Sequence, residues 1–294
     1  MIAFNKYYNR FNILSITLVT ISLLLLIFKG LNFGIDFKGG TLIEIKKEHD
    51  LTISNIRSQL SDLGLGDIQI QTFGSADVVL IRIENSSDLI SNADMNSINI
   101  IKTNLGSKIE IQRTEIVGPK VSSELVQKGL IAIIVAIILM LFYIWIRFEW
   151  QFSLGAIVAL FHDVIITLGV FSLFSLEINL SIVAALLTIV GYSMNDTVVI
   201  FDRVRENLKK HISIKIFELT NISINETLSR TIITSATTLL ALLSIFIFGG
   251  EILKGFSLAM ILGVIFGTYS SIYIANPTLV YLKVSYKTVV KEDK

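Results

Sequence analysis

Residues 191–207 read GYSMNDTVVIFDRVREN, and the place of Asp196 within them decides how the whole chain is read. The stretch begins as the second half of an apolar run that starts near Ile178, and it ends in charged residues. An apolar run of about twenty residues is long enough to cross a bilayer as a helix. Asp196 lies inside the run, several residues before the charges that mark the water interface. A carboxylate at that depth is costly, so by default it marks a functional site.

Composition supports a membrane setting. The chain has 294 residues, 52% of them hydrophobic, and a formal net charge of +1; its mean hydropathy is +0.70. The apolar residues come in long blocks, which identifies an α-helical integral membrane protein. The absence of cysteine excludes disulfides, thiol catalysis and cysteine metal sites. His49, His162 and His211 are scattered and form no metal-ligand cluster, and no GxxxxGK[ST] phosphate loop is present. No metal, cofactor, ATP or nucleic acid is expected.

Outward from residues 191–207, the pattern predicts six spans. The first covers Phe11 to Phe28 and is too long for a cleaved signal peptide. An alternating region follows from about residue 30 to 124. It predicts strands at Thr41–Lys47, Ile68–Phe73, Val78–Glu84 and Ile109–Val117, with helices at Thr52–Leu63 and Ser91–Leu105. This order, βαββαβ, points to an α+β ferredoxin-like domain between the first and second spans. Further spans are predicted at Leu125–Ile146, Phe152–Phe174, Ile178–Phe201, Arg230–Phe248 and Phe256–Leu282, so that residues 125–282 form a five-helix domain. A tail, 283–294, closes the chain.

Lys6, Arg10, Arg147, five basic residues of 203–215 and four of the tail all fall on the side of the N-terminus, whereas the short opposite loops offer only Lys254. The positive-inside rule then places both termini in the cytoplasm and the βαββαβ domain outside.

The candidate site is polar and intramembrane. Thr188, Tyr192, Asp196 and Arg203 recur at helical spacing on the fourth span, and Arg230 opens the fifth. Arg230 is long enough to reach Asp196 by snorkelling. Desolvation disfavours a charged carboxylate and a nearby guanidinium favours it, so an acid between the two is poised to exchange a proton. Asp163, beside His162 on the third span, is a second candidate, read either as proton-coupling or as a polar group that caps a water cavity or bonds a neighbouring span. A structural reading competes throughout, since a buried Asp–Arg pair can simply lock helices together. Thr231, Thr234 and Ser235 read as packing, and Asp202, Arg203, Arg205 and Glu206 as a solvated helix end. Ala259, Gly263, Gly267 and Ser271 recur every four residues on the sixth span, a pattern that lets helices approach closely within the bundle. Tyr192, Asn195, Thr234, Gly263 and Gly267 are thus supporting polar and packing residues. Asn276-Pro277 is expected to bend or end the sixth helix.

Eight stretches in order resemble the SecF family of bacterial protein-export membrane subunits: GIDFKGGT (34–41), VGPKVSSEL (117–125), YIWIRFEW (143–150), HDVIITLG (162–169), GYSMNDTVVIFDRVREN (191–207), SRTIITSATTLL (229–240), FGGEILKGFSLAMILG (248–263) and GTYSSIYIANP (267–277). Ser122 stands where the family pattern has glycine. The resemblance implies half of an RND-type transporter in the bacterial inner membrane. Its implied partners are SecD, which supplies the other half, the SecYEG channel, the translocating unfolded preprotein and lipid, with YidC and YajC as further candidates. It implies that a proton gradient (sodium in some marine bacteria) drives late-stage translocation, with no hydrolytic chemistry in this chain. It places the family's transmembrane acid at Asp196 and its functional arginine at Arg230.

Three other readings compete with this one. A small-molecule RND efflux pump needs two six-span halves and larger outer domains. An intramembrane aspartyl protease would use Asp163 and Asp196, but no GxGD motif surrounds either acid. A scaffold that stabilises the translocase differs only in whether Asp196 titrates.

Overall fold

The computed structural model describes residues 1–48, 51–61, 63, 68–83 and 93–289. They form two compact units, one of Met1–Asn32, Ala132–Leu176 and Ser181–Lys294, the other of Phe33–Ile131 and Glu177–Leu180.

Six helices are long and apolar enough to cross a membrane: Phe4–Phe28, Pro119–Arg147, Trp150–Leu173, Leu180–Lys210, Ile216–Phe248 and Leu253–Tyr281. They fall into two classes. Half or more of the most apolar window of the third, fourth and sixth spans is buried within the chain, against under a fifth for the first, second and fifth. The buried three carry the intramembrane acids and most of their partners, because a polar group must find its hydrogen bonds in protein rather than in hydrocarbon. The exposed three present Ile13, Ile16, Leu130, Ile138, Leu139, Ile232 and Leu240 outward.

Several boundaries differ from the hydropathy pattern. The second helix starts at Pro119 rather than Leu125, since proline is well suited to a first helical turn whose N–H has no partner in any case. The segment 202–229, expected as a polar connection, is helical on both sides of a short turn. The fourth helix runs on to Lys210 and the fifth begins at Ile216. Hydropathy marks where a helix leaves the apolar layer, not where its hydrogen bonds end. The charged end is also paired rather than simply solvated. Arg147 donates to Asp202 at 2.8 Å, Arg203 to Glu226 at 2.7 Å and Arg205 to Glu149 at 3.0 Å. Beneath this layer Phe152 packs edge-on to Phe201 at 5.2 Å and stacks with Phe148 at 6.0 Å.

The second unit has strands β1 (Gly40–Lys47), β2 (Ile68–Phe73), β3 (Ser75–Ile83) and β4 (Ile109–Val117), with helices Ile53–Ser61 and Ala93–Leu105 between them. The sheet order is β2-β3-β1-β4 with antiparallel neighbours throughout. The first β–helix–β crossover therefore joins parallel strands, β1 and β2, with β3 inserted between them. Glu84, Ser91 and Asn92 of the expected elements lie outside the described residues, as do Lys291 and Lys294 of the tail. Alternation puts Ile43, Ile45, Ile70, Val79, Ile81 and Ile83 on one face, where they pack with Ile56, Leu60, Ile101 and Leu105 of the helices.

The opposite face holds Arg82, which is 3% exposed. It donates to Gln69 Oε1 and to the Phe33 carbonyl, and it pairs with Glu177. The glycines of GIDFKGGT have a specific use here. Gly39 and Gly40 take φ of +76° and +129° in succession, and a Cβ on Gly39 would sit 3.3 Å from the Val117 carbonyl oxygen. Only glycine adopts such a pair without strain. They turn the chain into β1 after Asp36, whose carboxylate accepts the Leu180 N–H at 2.9 Å.

Candidate functional site: two buried acids in the helical unit

Asp163 lies in the middle of the third span and is fully buried. Its Oδ2 accepts the hydroxyls of Ser193, on the fourth span, at 2.6 Å and of Ser270, on the sixth, at 2.7 Å. Its Oδ1 lies 2.8 Å from Nδ1 of His162. Three partners on one enclosed carboxyl group satisfy it almost entirely within the protein, the condition for keeping such a group in an apolar layer.

Asp196 lies on the fourth span, 3% exposed. Its Oδ2 accepts Thr268 of the sixth span at 3.2 Å and, more weakly, Ser235 of the fifth at 3.4 Å. Ser235 and Thr268 lie 2.7 Å apart, so the Ser235 hydroxyl can donate to Thr268 in place of its longer contact with the acid. Each acid therefore has its own donors, with none in common. The shared-proton pair that an aspartyl protease needs is not assembled.

Arg230 is exposed and makes no ion pair with Asp196 among the described residues, although it lies within electrostatic reach. The direct Asp196–Arg230 contact expected from snorkelling is thus replaced by a pair of hydroxyl donors. A hydroxyl on a neighbouring helix fixes the carboxylate at less entropic cost than a long guanidinium stem.

The supporting residues divide. Gly263 and Gly267 meet the fourth span closely. A Cβ on Gly263 would come within 2.3 Å of Ile189, and one on Gly267 within 3.1 Å of the Ser193 Cα. Thr234 bonds back to the Arg230 and Thr231 carbonyls of its own helix. Tyr192 has a buried hydroxyl without a hydrogen-bond partner among the described residues, and Asn195 faces outward. Thr188 bonds back to Ala184 and is exposed, so the expected polar face of the fourth span contributes only Asp196 to the site.

Sequence reasoning missed Ser193, Thr268 and Ser270 as acid partners and took Ser235 for packing. The available signal is GTYSS (267–271), where hydroxyls flank the small-residue stripe. Ser271 extends the chain of polar contacts, sharing a 2.7 Å hydrogen bond with Thr197. Among the described residues no group of His, Asp and Glu is arranged to hold a metal ion.

Residues 97–285 match the family model for the C-terminal region of the SecD/SecF protein export membrane proteins, and residues 24–46 match the SecD/SecF GG motif. The chain is 46% identical over 265 residues to the protein translocase subunit SecF of Vibrio alginolyticus, covering 90% of this chain and 84% of that one. It is 48% identical over 276 residues to SecF of Calditerrivibrio nitroreducens, covering 92% and 90%. Among solved structures it resembles SecDF of Thermus thermophilus, described as a translocon-associated membrane protein, with a TM-score of 0.87 and 34% identity over 96% of this chain. A second SecDF structure, in a super-membrane-facing form, gives a TM-score of 0.70. This chain spans only 38% of the first SecDF chain and 39% of the second. Identity of this extent over nearly the whole length, with the matched domain covering both acids, shows that the chain belongs to the SecF family of protein translocase subunits.

Proposed function

We propose that this chain is a non-enzymatic motor subunit of a bacterial protein-export machine, converting a transmembrane proton gradient, or a sodium gradient, into late-stage movement of an unfolded preprotein. The observation that carries this reading is Asp196. It is a carboxyl group 3% exposed on a buried span, held by two hydroxyls from two other spans. Hydroxyls donate to a carboxylate and also accept from a carboxylic acid, so this cage tolerates both charge states. One elementary charge crossing the membrane potential supplies about 2.3 kcal/mol per 100 mV. That energy can bias a two-state helix packing if the two packings differ in their affinity for the proton. Arg230 lies within electrostatic reach of Asp196, and Asp163 is a second coupling group.

The likeness to 38% of a SecDF chain supports SecD as the partner half. The SecYEG channel, YidC and YajC follow as neighbours in the same machine. The charge pattern supports cytoplasmic termini and an outer βαββαβ domain that meets the emerging chain.

The test is export with Asp196→Asn at membrane abundance equal to wild type. Asparagine keeps the shape and the hydrogen-bond acceptor and removes the proton. Loss of gradient-dependent export with intact association with SecD supports the motor. Normal export makes Asp196 a structural polar residue and the chain a scaffold.

A further inference from the structure

His162 is the one buried titratable group beside the acids that the coupling reading leaves without a task. Its side chain is 4% exposed. The ring stacks on Tyr269 at 5.8 Å between centroids and meets the edge of Phe266 at 6.4 Å. Nδ1 faces Asp163 Oδ1 at 2.8 Å, while Nε2 is buried with no hydrogen-bond partner among the described residues. An unpaired polar atom in a native interior calls for an explanation, and reactivity is one.

The two oxygens of Asp163 are treated differently. Oδ2 sees only the hydroxyls of Ser193 and Ser270, whereas Oδ1 sees a ring nitrogen that can either donate or accept. We propose that His162 is the proton port of Asp163, a positioning residue that loads and unloads the acid by exchanging its two tautomers. This deepens the coupling reading and rests on it for its physiological meaning.

In the unloaded state the neutral ring carries its proton on Nδ1 and donates to the Asp163 carboxylate. A proton arriving at Nε2 forms a new N–H bond. The Nδ1–H bond breaks as its proton passes to Oδ1, leaving a neutral carboxylic acid that donates to the Nδ1 lone pair. The site has then gained one proton, both groups are neutral, and nothing is oxidised or reduced. Ser193 and Ser270 donate to Oδ2 throughout, because that atom is a carboxylate oxygen before the step and a carbonyl oxygen after it. No side chain has to move, which suits an interior packed between three helices.

The titratable groups around the pair are few. Tyr269, on the sixth span, has its hydroxyl engaged by Ser15 at 2.7 Å and by the Phe11 carbonyl at 2.8 Å, both on the first span. Asp196, on the fourth, has its own donors. No lysine or arginine forms an ion pair with His162 or Asp163 among the described residues.

The test uses the full chain in lipid nanodiscs, labelled with ¹⁵N-histidine, alongside infrared difference spectra across a pH titration. The His49→Gln/His211→Gln variant leaves His162 as the sole histidine, so its ring signals are read without altering the pair. The expected result is a move of the ring proton from Nδ1 to Nε2 with the same midpoint as the appearance of a carboxylic C=O band that is absent in Asp163→Asn. In His162→Gln that band should shift its midpoint by about one pH unit or more, or vanish. A ring that keeps one tautomer throughout overturns the proposal, as does a band that titrates unchanged in His162→Gln. Normal export by Asp196→Asn would instead remove the motor reading and leave the tautomer result standing.

Discussion

Thr268 and Ser270 stand two residues apart on the sixth span, and each gives its hydroxyl to a different buried acid, Thr268 to Asp196 at 3.2 Å and Ser270 to Asp163 at 2.7 Å. One half-turn of helix thus touches both acids, and a small rotation of that half-turn would alter both sets of hydrogen bonds together.

The two hydroxyls should differ in their contribution to stability. Ser270 makes the shorter bond, and to the acid with no exposure at all, so Ser270→Ala leaves a deficit that water cannot repair. We expect it to cost about 1–2 kcal/mol, against about 0.5 kcal/mol for Thr268→Val. Reversible unfolding of the full chain in bicelles measures both. Equal costs, or the reverse order, would mean that the Asp163 hydroxyls are incidental.

Close helix contact at Gly263 makes a second expectation. A methyl group there would fall 2.3 Å from the Ile189 Cγ1, so Gly263→Ala should cost about 1–3 kcal/mol by overpacking. The obstruction is a side chain, so Ile189→Ala should relieve it, and the double variant should be better than additive by about 1 kcal/mol. Gly169 differs in degree. Its added methyl would lie 2.2 Å from the Ser22 Oγ and 2.4 Å from its Cβ, but also 2.9 Å from the Ser22 Cα, a backbone atom, so Ser22→Gly should rescue it only in part. Full rescue at Gly169, or none at Gly263, would contradict this geometry.

The sequence showed the six spans, the succession of strands and helices along the second unit and the two acids, because each rests on a local signal. Length and hydropathy mark Trp150–Leu173, period-two alternation marks Ile109–Val117, and an isolated carboxylate marks Asp196. What surrounds the acids was not legible. Ser193, Ser235, Thr268 and Ser270 are ordinary residues for a membrane helix, and most hydroxyls in these spans do bond back to their own backbone, as Thr234, Thr237 and Thr238 do. Which ones turn outward to a neighbour depends on helix rotation, and that is set by contacts such as Gly263 on Ile189 far along the chain. Arg230 shows the same limit: opposite charge and reach suggest a direct pair, but packing brings the Ser235 and Thr268 hydroxyls to Asp196 instead.

Glu177 carries the pH dependence outside the spans. Burial holds its carboxyl above the ordinary glutamate range, against the opposing pull of the Arg82 guanidinium. The folded chain therefore keeps that proton to a higher pH than the unfolded chain does. The stability it contributes is complete below the unfolded value and is lost as pH rises through the folded one. Opening free energies of the β3 amides, from hydrogen exchange corrected for intrinsic rates, should fall across the mildly acidic range as pH rises. Glu177→Gln should flatten that slope. A slope of opposite sign would show that the charge pair with Arg82 outweighs desolvation.

The sixth span departs from α-helical winding where it leaves the acids. Ser271–Ala275 form a π-turn directly before Asn276 and Pro277, and the Asn276 side-chain amide, itself fully buried, donates to the Ser271 carbonyl at 2.7 Å. Proline supplies the cause: it lacks an N–H, and its ring would collide with the Tyr273 carbonyl four residues back in a regular helix. A widened turn removes the collision, and the Asn276 amide braces it through its bond to the Ser271 carbonyl. Asn276→Ala should cost about 1–2 kcal/mol through loss of that buried hydrogen bond. Pro277→Ala restores the missing N–H and lets the turn tighten, so stability should hold within about 0.5 kcal/mol. The register of Ser270 on Asp163 and of Ser271 on Thr197 would nevertheless shift, and gradient-dependent export should fall several-fold at unchanged abundance. If Pro277→Ala exports as wild type does, the π-turn is only the shape that proline imposes, and the hydroxyls do not depend on it for their placement.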